Sequence, residues 1–232
     1  MKTAITFTRA NFDKMYDHVI QDGGEEAAFL LCGVAKTPYL TNILVREVIT
    51  VPDSAFIVKG GVFLKIDPEF MMPIIKQARL DKLSVISVHS HPFSRHSATF
   101  SSIDHGGDAV LIPKICGRIP DRPHGHIVVG RNSLDARLWK KDAYDAIPVD
   151  EVKVVGRKLQ KIYPTSSATR PNSRLSEMHR RQILAVGEEA QKRIQQTRIG
   201  IVGLGGTGSQ VFQQLAHLGV RDFVLIDPDV IE

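Results

Sequence analysis

The feature that most constrains the fold is an apolar, β-branched run that ends in two histidines. Residues 85–92 read VISVHSHP, so His89 and His91 lie two positions apart. Such a run is typical of a strand that is buried on both faces. Because side chains alternate along a strand, both imidazoles project from the same side of the sheet, and Pro92 ends the ladder since it has no N–H to donate. The run therefore predicts an internal strand that presents two histidines together.

An acidic residue follows the two histidines at a predicted helix start. Ser101 and Ser102 are typical N-cap residues, and Asp104 comes thirteen positions after His91. Two imidazoles and one carboxylate form a three-ligand set of catalytic zinc sites, in which water takes the fourth position. Each residue alone has an ordinary structural explanation, so the prediction of a zinc site depends on their conjunction.

A glutamate upstream strengthens that conjunction. Glu26 opens residues 26–33, EAAFLLCG, an apolar strand that ends in a glycine. The residues resemble the JAMM (MPN-plus) metalloisopeptidase family, whose pattern is a Glu seven residues before a strand-ending Gly, then His-Ser/Thr-His-Pro and then Ser-x-x-Asp. The resemblance covers roughly the first 145 residues.

The resemblance implies a role for each matching residue. His89, His91 and Asp104 hold Zn²⁺, while Glu26 takes a proton from water and delivers it to the departing amine. The Ser101 hydroxyl helps to stabilise the oxyanion of the tetrahedral intermediate. The implied activity is hydrolysis of an amide or isopeptide bond at the tail of a ubiquitin-like or sulfur-carrier protein.

One spacing departs from the family pattern and leaves the third ligand open. Nine residues separate His91 from Ser101, where the family usually has seven. A loop that is two residues longer costs little free energy. If it shifts the register, however, His96 or His105 could take the place of Asp104.

Three other polar residues near the motif have ordinary interpretations. His124 and His126 bracket a glycine before an apolar strand, and they are predicted to be structural or surface histidines. Asp108 is predicted to be a solvated loop acid, with acceptance of a histidine N–H as the alternative.

A glycine-rich turn near the other end of the chain carries a second motif. Residues 198–202 predict a strand that runs into GLGGTGS at 203–209, and a helix and a second strand lead to Asp227. In this setting, an acid nineteen residues past the last glycine makes Gly-x-Gly-x-x-Gly far more specific than the glycines alone. The backbone and the helix N-terminus would contact phosphates, and Asp227 the ribose hydroxyls. The predicted glycines of the site are Gly203, Gly205, Gly206 and Gly208.

This tail resembles the ThiF-like, ubiquitin-activating type of adenylating enzyme. The matching residues are Arg181-Gln182, Gly187-Glu188-Glu189 with Gln191, the turn at 203–209 and residues 225–232. The resemblance implies ATP with Mg²⁺ as cofactor and a carrier with a Gly-Gly-type tail as partner. It also allows a homodimer in which Arg181 reaches the nucleotide of the other subunit. Groups found later in such domains do not occur before Glu232, so we expect a truncated nucleotide site.

Composition limits the expected partners and the expected compartment of the protein. The 232 residues are 43% hydrophobic, which suffices for a core, and the net charge of +5 comes from scattered rather than clustered basic residues, so nucleic acid is not an expected partner. No apolar run reaches the length of a membrane span, and the N-terminus lacks a signal region. Cys32 and Cys116 are predicted to be buried free thiols of a reducing compartment, which favours the cytoplasm.

Together these patterns predict an α/β protein. Residues 1–148 are expected to form a JAMM-type mixed sheet with flanking helices, residues 149–173 a linker, and residues 174–232 the first βαβ unit of a Rossmann-like ThiF domain. Two glycines soon after Asp104 suggest a helix of one turn or an irregular one there, and residues 109–113 are predicted to be a strand.

The predicted function is zinc-dependent amide hydrolysis on a carrier tail, fused to ATP-dependent activation of the same carrier. Two alternatives from other classes stay open. One is a non-catalytic MPN-type scaffold that binds a ubiquitin-like partner. The other is an NAD-binding enzyme built on the glycine-rich turn, with incidental histidines. Zinc content and competition between ATP and NAD distinguish them.

Overall fold

The computed structural model describes residues 2–60, 63–94, 97–140, 145–167 and 179–229. The chain divides into two compact units, Met1–Arg170 and Pro171–Glu232. None of the helices in these described ranges is long and apolar enough to cross a membrane.

The first unit combines a nine-stranded mixed sheet with a short hairpin and flanking helices. In chain order its elements are β1 (Lys2–Thr8), α1 (Arg9–Val19), β2 (Ala27–Lys36), β3 (Leu40–Thr50), β4 (Phe56–Lys59), β5 (Leu64–Ile66), α2 (Pro68–Leu80), β6 (Ser84–Ser90), α3 (Ser102–Arg118), β7 (His124–Val129), β8 (Leu134–Trp139), β9 (Ile147–Pro148), β10 (Glu151–Val155) and β11 (Gln160–Ile162).

The histidine-bearing strand β6 lies inside the sheet. The strand order is β11-β10-β1-β3-β2-β6-β7-β8-β9, and β4 and β5 form the separate hairpin. β6 is antiparallel to β2 and parallel to β7, and all of its residues are buried. The prediction of a strand buried on both faces is therefore confirmed.

Apolar cores lie on both faces of the sheet because successive side chains of its strands alternate. Ile86 and Val88 of β6 belong to one core, to which α1 contributes Phe12 and Met15. Val85 belongs to the other core, which α2 and α3 cover. The second face is the one that carries His89, so the metal-ligand candidates lie on the side of α2 and α3.

Helix α3 corrects the sequence analysis. The predicted single turn and the predicted strand at 109–113 are wrong, because Ser102–Arg118 is one helix of 17 residues. The two glycines inside it each disfavour helix by about 1 kcal/mol relative to Ala. A capping box between Ser101 and Asp104 and the burial of Ile112 and Ile115 favour the helix instead.

Two strands lie within residues 149–173, which the sequence analysis interprets as a linker. β10 pairs in parallel with β1, and β11 pairs antiparallel with β10. Val152 and Val154 are fully buried in the first core. This part of the segment therefore belongs to the sheet, and residues 168–173 lie outside the described ranges.

The second unit contains a βαβ arrangement preceded by two helices. Its elements are α4 (Arg180–Val186), α5 (Glu188–Gln196), β12 (Arg198–Val202), α6 (Gly206–Leu218) and β13 (Asp222–Ile226). β12 and β13 pair in parallel, in the predicted strand–turn–helix–strand order.

The predicted α/β class is confirmed: the chain has a mixed sheet with flanking helices and a parallel βαβ arrangement. Cys32 and Cys116 are free and buried, as the apolar contexts of both thiols predict.

Candidate metal centre

Three side chains converge where β6 ends. His89 occupies the next-to-last position of β6, and its Cα pairs with Ala27 of β2 and Val128 of β7. His91 follows the strand, and its N–H donates to the Val129 carbonyl at 2.8 Å. Asp104 lies in the first turn of α3. The structure therefore brings together the three residues that the sequence analysis selects as metal ligands.

The separations of the candidate ligand atoms fit a small cation. His89 Nε2 lies 3.1 Å from His91 Nε2 and 3.0 Å from Asp104 Oδ1, and His91 Nε2 lies 3.6 Å from Asp104 Oδ2. Ligand atoms held tetrahedrally about 2.0–2.1 Å from zinc lie roughly 3.3 Å from one another. One ligand atom from each of the three side chains lies within 4.8 Å of the other two, and imidazole nitrogen and carboxylate oxygen are ligand types that zinc prefers.

The N-cap of α3 orients the third candidate ligand. The Asp104 N–H donates to Ser101 Oγ at 3.2 Å, and the Ser101 N–H donates to Asp104 Oδ2 at 2.6 Å. These reciprocal bonds leave Asp104 Oδ1 for His89. Ser101 Oγ acts as an acceptor in the cap, so its own proton is free for another acceptor.

Two adjacent glutamates precede β2, and they have different partners. Glu26, which the sequence analysis predicts to be catalytic, forms an ion pair with Lys59 of β4, and Lys59 also pairs with Asp53. Glu25 faces the cluster instead: its Oε1 lies 3.7 Å from His91 Nε2. Strand alternation explains the difference, because Glu25 and Ala27 share the face that carries His89.

The electrostatics of the cluster favour metal binding and proton acceptance. Burial lowers the pKa of His89 and that of His91, which favours the neutral imidazole of both. Burial alone would raise the pKa of Asp104, but the contacts with His89 and with Ser101 together outweigh burial, and the pKa falls below its usual range. Burial, and then the charge of Asp104, raises the pKa of Glu25 to about 7.

A line of buried and half-buried polar side chains extends from His89 away from the cluster. His89 Nδ1 lies 2.7 Å from His126 Nε2, and His126 Nδ1 lies 2.6 Å from Asp108 Oδ1. Asp108 Oδ2 forms an ion pair with Arg137 Nη2 at 2.5 Å. His126 is absent from the group of candidate ligand atoms, which agrees with its interpretation as structural, although it contacts a candidate ligand. The interpretation of Asp108 as solvated is wrong, because Asp108 is buried one helical turn after Asp104, and its contact with His126 fits the alternative of accepting a histidine N–H.

The remaining histidines lie outside the cluster or outside the described residues. His105 contacts Arg137 Nη1 through Nδ1 at 2.9 Å and is absent from the group of candidate ligand atoms. His124 is fully buried, where it accepts the Val85 N–H and bonds to the Ile119 carbonyl, which agrees with a structural role. His96 lies outside the described residues.

A cavity of about 670 Å³ opens beside the cluster and offers room for a substrate. It lies against the side of the sheet that α2 and α3 cover, and its lining includes Glu25, His89 and Asp104. Four apolar side chains that line it are also exposed. They are Phe63, Met72, Ile103 and Val110.

In the second unit, backbone geometry dominates the glycine-rich turn. Gly203 has a φ of +82°, a conformation that favours glycine, and its N–H donates to the Ile226 carbonyl at 2.8 Å. A Cβ at Gly208 would lie 1.8 Å from the Gly203 carbonyl oxygen, so only glycine fits there. Gly205 is the N-cap of α6, and Gly206 begins that helix. The predicted glycines therefore form one strand-to-helix turn.

The acid and the arginine predicted for nucleotide binding have different surroundings. Asp227 accepts hydrogen bonds from the backbone N–H groups of Leu204 and Asp229, which lower its pKa. It therefore ties the end of β13 to the glycine-rich turn. Arg181 lies on α4 and is exposed.

Comparison with known proteins finds a family match within the second unit. Residues 179–232 match the ThiF family. A segment of 47 residues is 45% identical to the SAMP-activating enzyme E1 of Haloferax volcanii and covers 20% of this chain and 17% of that enzyme. The solution structure of protein DSY2949 from Desulfitobacterium hafniense covers 66% of this chain and 95% of its own, with 19% identity and a TM-score of 0.42, too low to establish a shared fold.

Proposed function

We propose that this protein is a JAMM-type zinc metallopeptidase that hydrolyses an amide or isopeptide bond at the tail of a ubiquitin-like or sulfur-carrier protein. The ThiF-like unit would take part in ATP-dependent activation of the same carrier. The observation that carries the first part is the convergence of His89, His91 and Asp104 beside an acid with a raised pKa.

The donor set supports zinc rather than magnesium or calcium. Imidazole nitrogens together with one carboxylate suit zinc, whereas the harder ions prefer sets made of oxygen atoms. Zinc bound there would act as a Lewis acid and lower the pKa of water to about 7.

Different residues around that position would transfer the proton and stabilise the oxyanion. Glu25 is our candidate for the group that accepts the proton of the attacking water and delivers it to the departing amine, because it lies in the cavity and its pKa of about 7 suits both steps. Glu26, the choice from the sequence pattern, becomes the alternative because Lys59 holds its carboxylate. The Ser101 hydroxyl would donate to the oxyanion.

The match of residues 179–232 to the ThiF family supports the choice of substrate class. The relative in H. volcanii is named for activating SAMP, and we extend the idea of a small carrier protein to this chain. ATP with Mg²⁺ would bind at Gly203, Gly205, Gly206 and Gly208. Arg181 would contact the nucleotide of a second copy.

The decisive experiment measures hydrolysis and metal content together. The 232-residue chain is purified without added metal, reconstituted with zinc and incubated with a ubiquitin-like carrier extended at its tail by a fluorescent amide. We expect one zinc per chain and cleavage that dipicolinic acid abolishes and added zinc restores. Stoichiometric zinc without cleavage of any tail amide would favour a non-catalytic scaffold, and cleavage that persists without metal would refute the mechanism.

The nucleotide is tested by competition on the same preparation. ATP should displace a fluorescent ATP analogue at lower concentration than NAD does. Preference for NAD would favour the dinucleotide-binding alternative for the second unit.

A further inference from the structure

The contacts behind His89 impose one direction of hydrogen bonding. Asp108 pairs with the permanently charged Arg137, and a carboxylate only accepts hydrogen bonds. His126 Nδ1 must therefore donate to Asp108. In a neutral imidazole the other nitrogen is then an acceptor, so His126 Nε2 must accept the Nδ1–H of His89. His89 Nε2 is then left without a proton, and it and Asp104 Oδ1, 3.0 Å apart, are two acceptors that a bound cation would bridge.

We propose that His126, Asp108 and Arg137 form a positioning relay that fixes the Nδ1–H tautomer and the ring orientation of His89. The proposal rests on the zinc site proposed above. The relay keeps the Nε2 lone pair of His89 directed at the metal position before any metal arrives. Its three members are positioning residues, since none of them is among the candidate ligands.

The end of the relay is itself held in place by packing. The Arg137 guanidinium lies 3.7 Å from the centroid of the Phe100 ring and 5.2 Å from that of Trp139. Phe100 also makes an edge contact with His126 at 5.3 Å between ring centroids. Asp108 and Arg137 are both buried. A buried ion pair of this kind keeps its carboxylate in one orientation, which the tautomer of His126 then follows.

Asp108→Asn should reverse the relay without changing its shape. The Asn carbonyl oxygen would face Arg137, because facing it with the NH₂ group would oppose two donors. That NH₂ group would then donate to His126 Nδ1, which moves the proton of His126 to Nε2. His126 would in turn donate to His89 Nδ1, and the proton of His89 would move to Nε2, the nitrogen needed by the metal.

The first test reads the tautomers directly in metal-free protein. Nitrogen-15 NMR of the histidine rings should show protonated Nδ1 on His89 and His126 in the unsubstituted chain, and protonated Nε2 on both in Asp108→Asn. The same tautomers in both proteins would refute the relay. Because no metal is present, this result is independent of whether the protein is a peptidase.

The second test measures zinc affinity by competition with a chromophoric chelator. Loss of an outer partner of a metal-bound histidine typically weakens binding by about 10- to 100-fold, and we expect that range for Asp108→Asn. Asp135→Asn is the matched control: Asp135 is also buried, but it bonds to Ala136 and Ser166 instead of a histidine. Equal zinc affinity in the two variants would overturn the proposal.

Substitutions of His126 distinguish the effect of its hydrogen bonds from the effect of its packing. They also provide a test of the relay if Asp108→Asn fails to fold. A Gln side chain can accept from His89 Nδ1–H with its oxygen and donate to Asp108, whereas Leu can do neither. We expect zinc affinity within about threefold of the unsubstituted chain for His126→Gln and a loss of at least about tenfold for His126→Leu. A purely structural role for His126 would weaken both variants alike. Zinc binding with the expected pattern but without any tail hydrolysis would leave the relay intact and refute only the peptidase.

Discussion

The candidate metal centre of the first unit is assembled from side chains on separate segments, whereas the glycine-rich turn of the second is one local stretch of backbone. His89 lies on β6, Asp104 on α3, and Glu25 in the segment just before β2. In contrast, Gly203 and Gly208 meet within a single turn. A site made of side chains therefore depends on packing between distant segments, while a site made of backbone can form from local sequence alone.

The two regions also differ in how much apolar surface they bury. β6 is buried along its whole length. In the described part of the second unit, Ile201 and Val220 are the only apolar residues that are buried, and Leu184 and Val202 are 83% and 79% exposed. Burial of apolar area is the main source of stability, so the first unit should be far more stable.

The largest effect should come from removing a histidine of the candidate metal centre. His89→Ala and His91→Ala should each lose stoichiometric zinc, because two remaining ligands hold the ion poorly. Asp104→Ala should lose it as well. Elemental analysis of purified protein measures the metal, and His217→Ala, an exposed histidine of the second unit, is the control. Full zinc occupancy in His89→Ala or His91→Ala would place the site elsewhere.

The next largest effect should show whether Glu25 or Glu26 accepts the proton. Glu25→Gln should keep zinc but reduce hydrolysis of the carrier tail by at least about a hundredfold, because an amide cannot accept the proton. Glu26→Gln should cost much less, because its main contact is the ion pair with Lys59. The comparison of kcat for the two variants decides between them. A reversed order would show that Glu26, as the sequence pattern predicts, carries the proton.

A methyl group at the glycine-rich turn should disturb only the second unit. Gly208→Ala places a Cβ 1.8 Å from the Gly203 carbonyl oxygen, so the turn must open, and we expect affinity for a fluorescent ATP analogue to fall by about tenfold or more. Gly200→Ala is the matched control because its Cβ would meet no atom within 4 Å. Zinc content should not change in either variant. Unaltered nucleotide affinity in Gly208→Ala would remove the turn from the nucleotide site.

The smallest effect concerns local stability without any substitution. Under limited proteolysis, residues beyond 170 should be cut several times faster than the first unit, since sparse burial permits local unfolding. Mass spectrometry of the fragments locates the cuts. Equal resistance of both units would contradict the contrast in burial.

Several features of the chain could be read from its sequence because they depend on local physics. The alternation and apolarity of residues 85–90 determine a buried strand with His89 on one face. The glycine spacing and Asp227 determine the strand–turn–helix arrangement of the second unit. The capping box of α3 is likewise local: the Ser101 side chain accepts from the Asp104 N–H, and the Asp104 side chain accepts from the Ser101 N–H. In each case the deciding interactions lie within a few residues or repeat with a fixed period.

Only the tertiary structure decided the features that depend on distant partners. α3 continues through two glycines because its far residues are buried, and that helix places Asp108 one turn after Asp104. Glu25 faces His91, and Glu26 does not, because the pairing of β2 with β6 sets which side chains share a face. The relay through His126 also joins β7, α3 and β8. Local sequence cannot fix such contacts, because the free energy that selects them comes from burial and charge pairing across the fold.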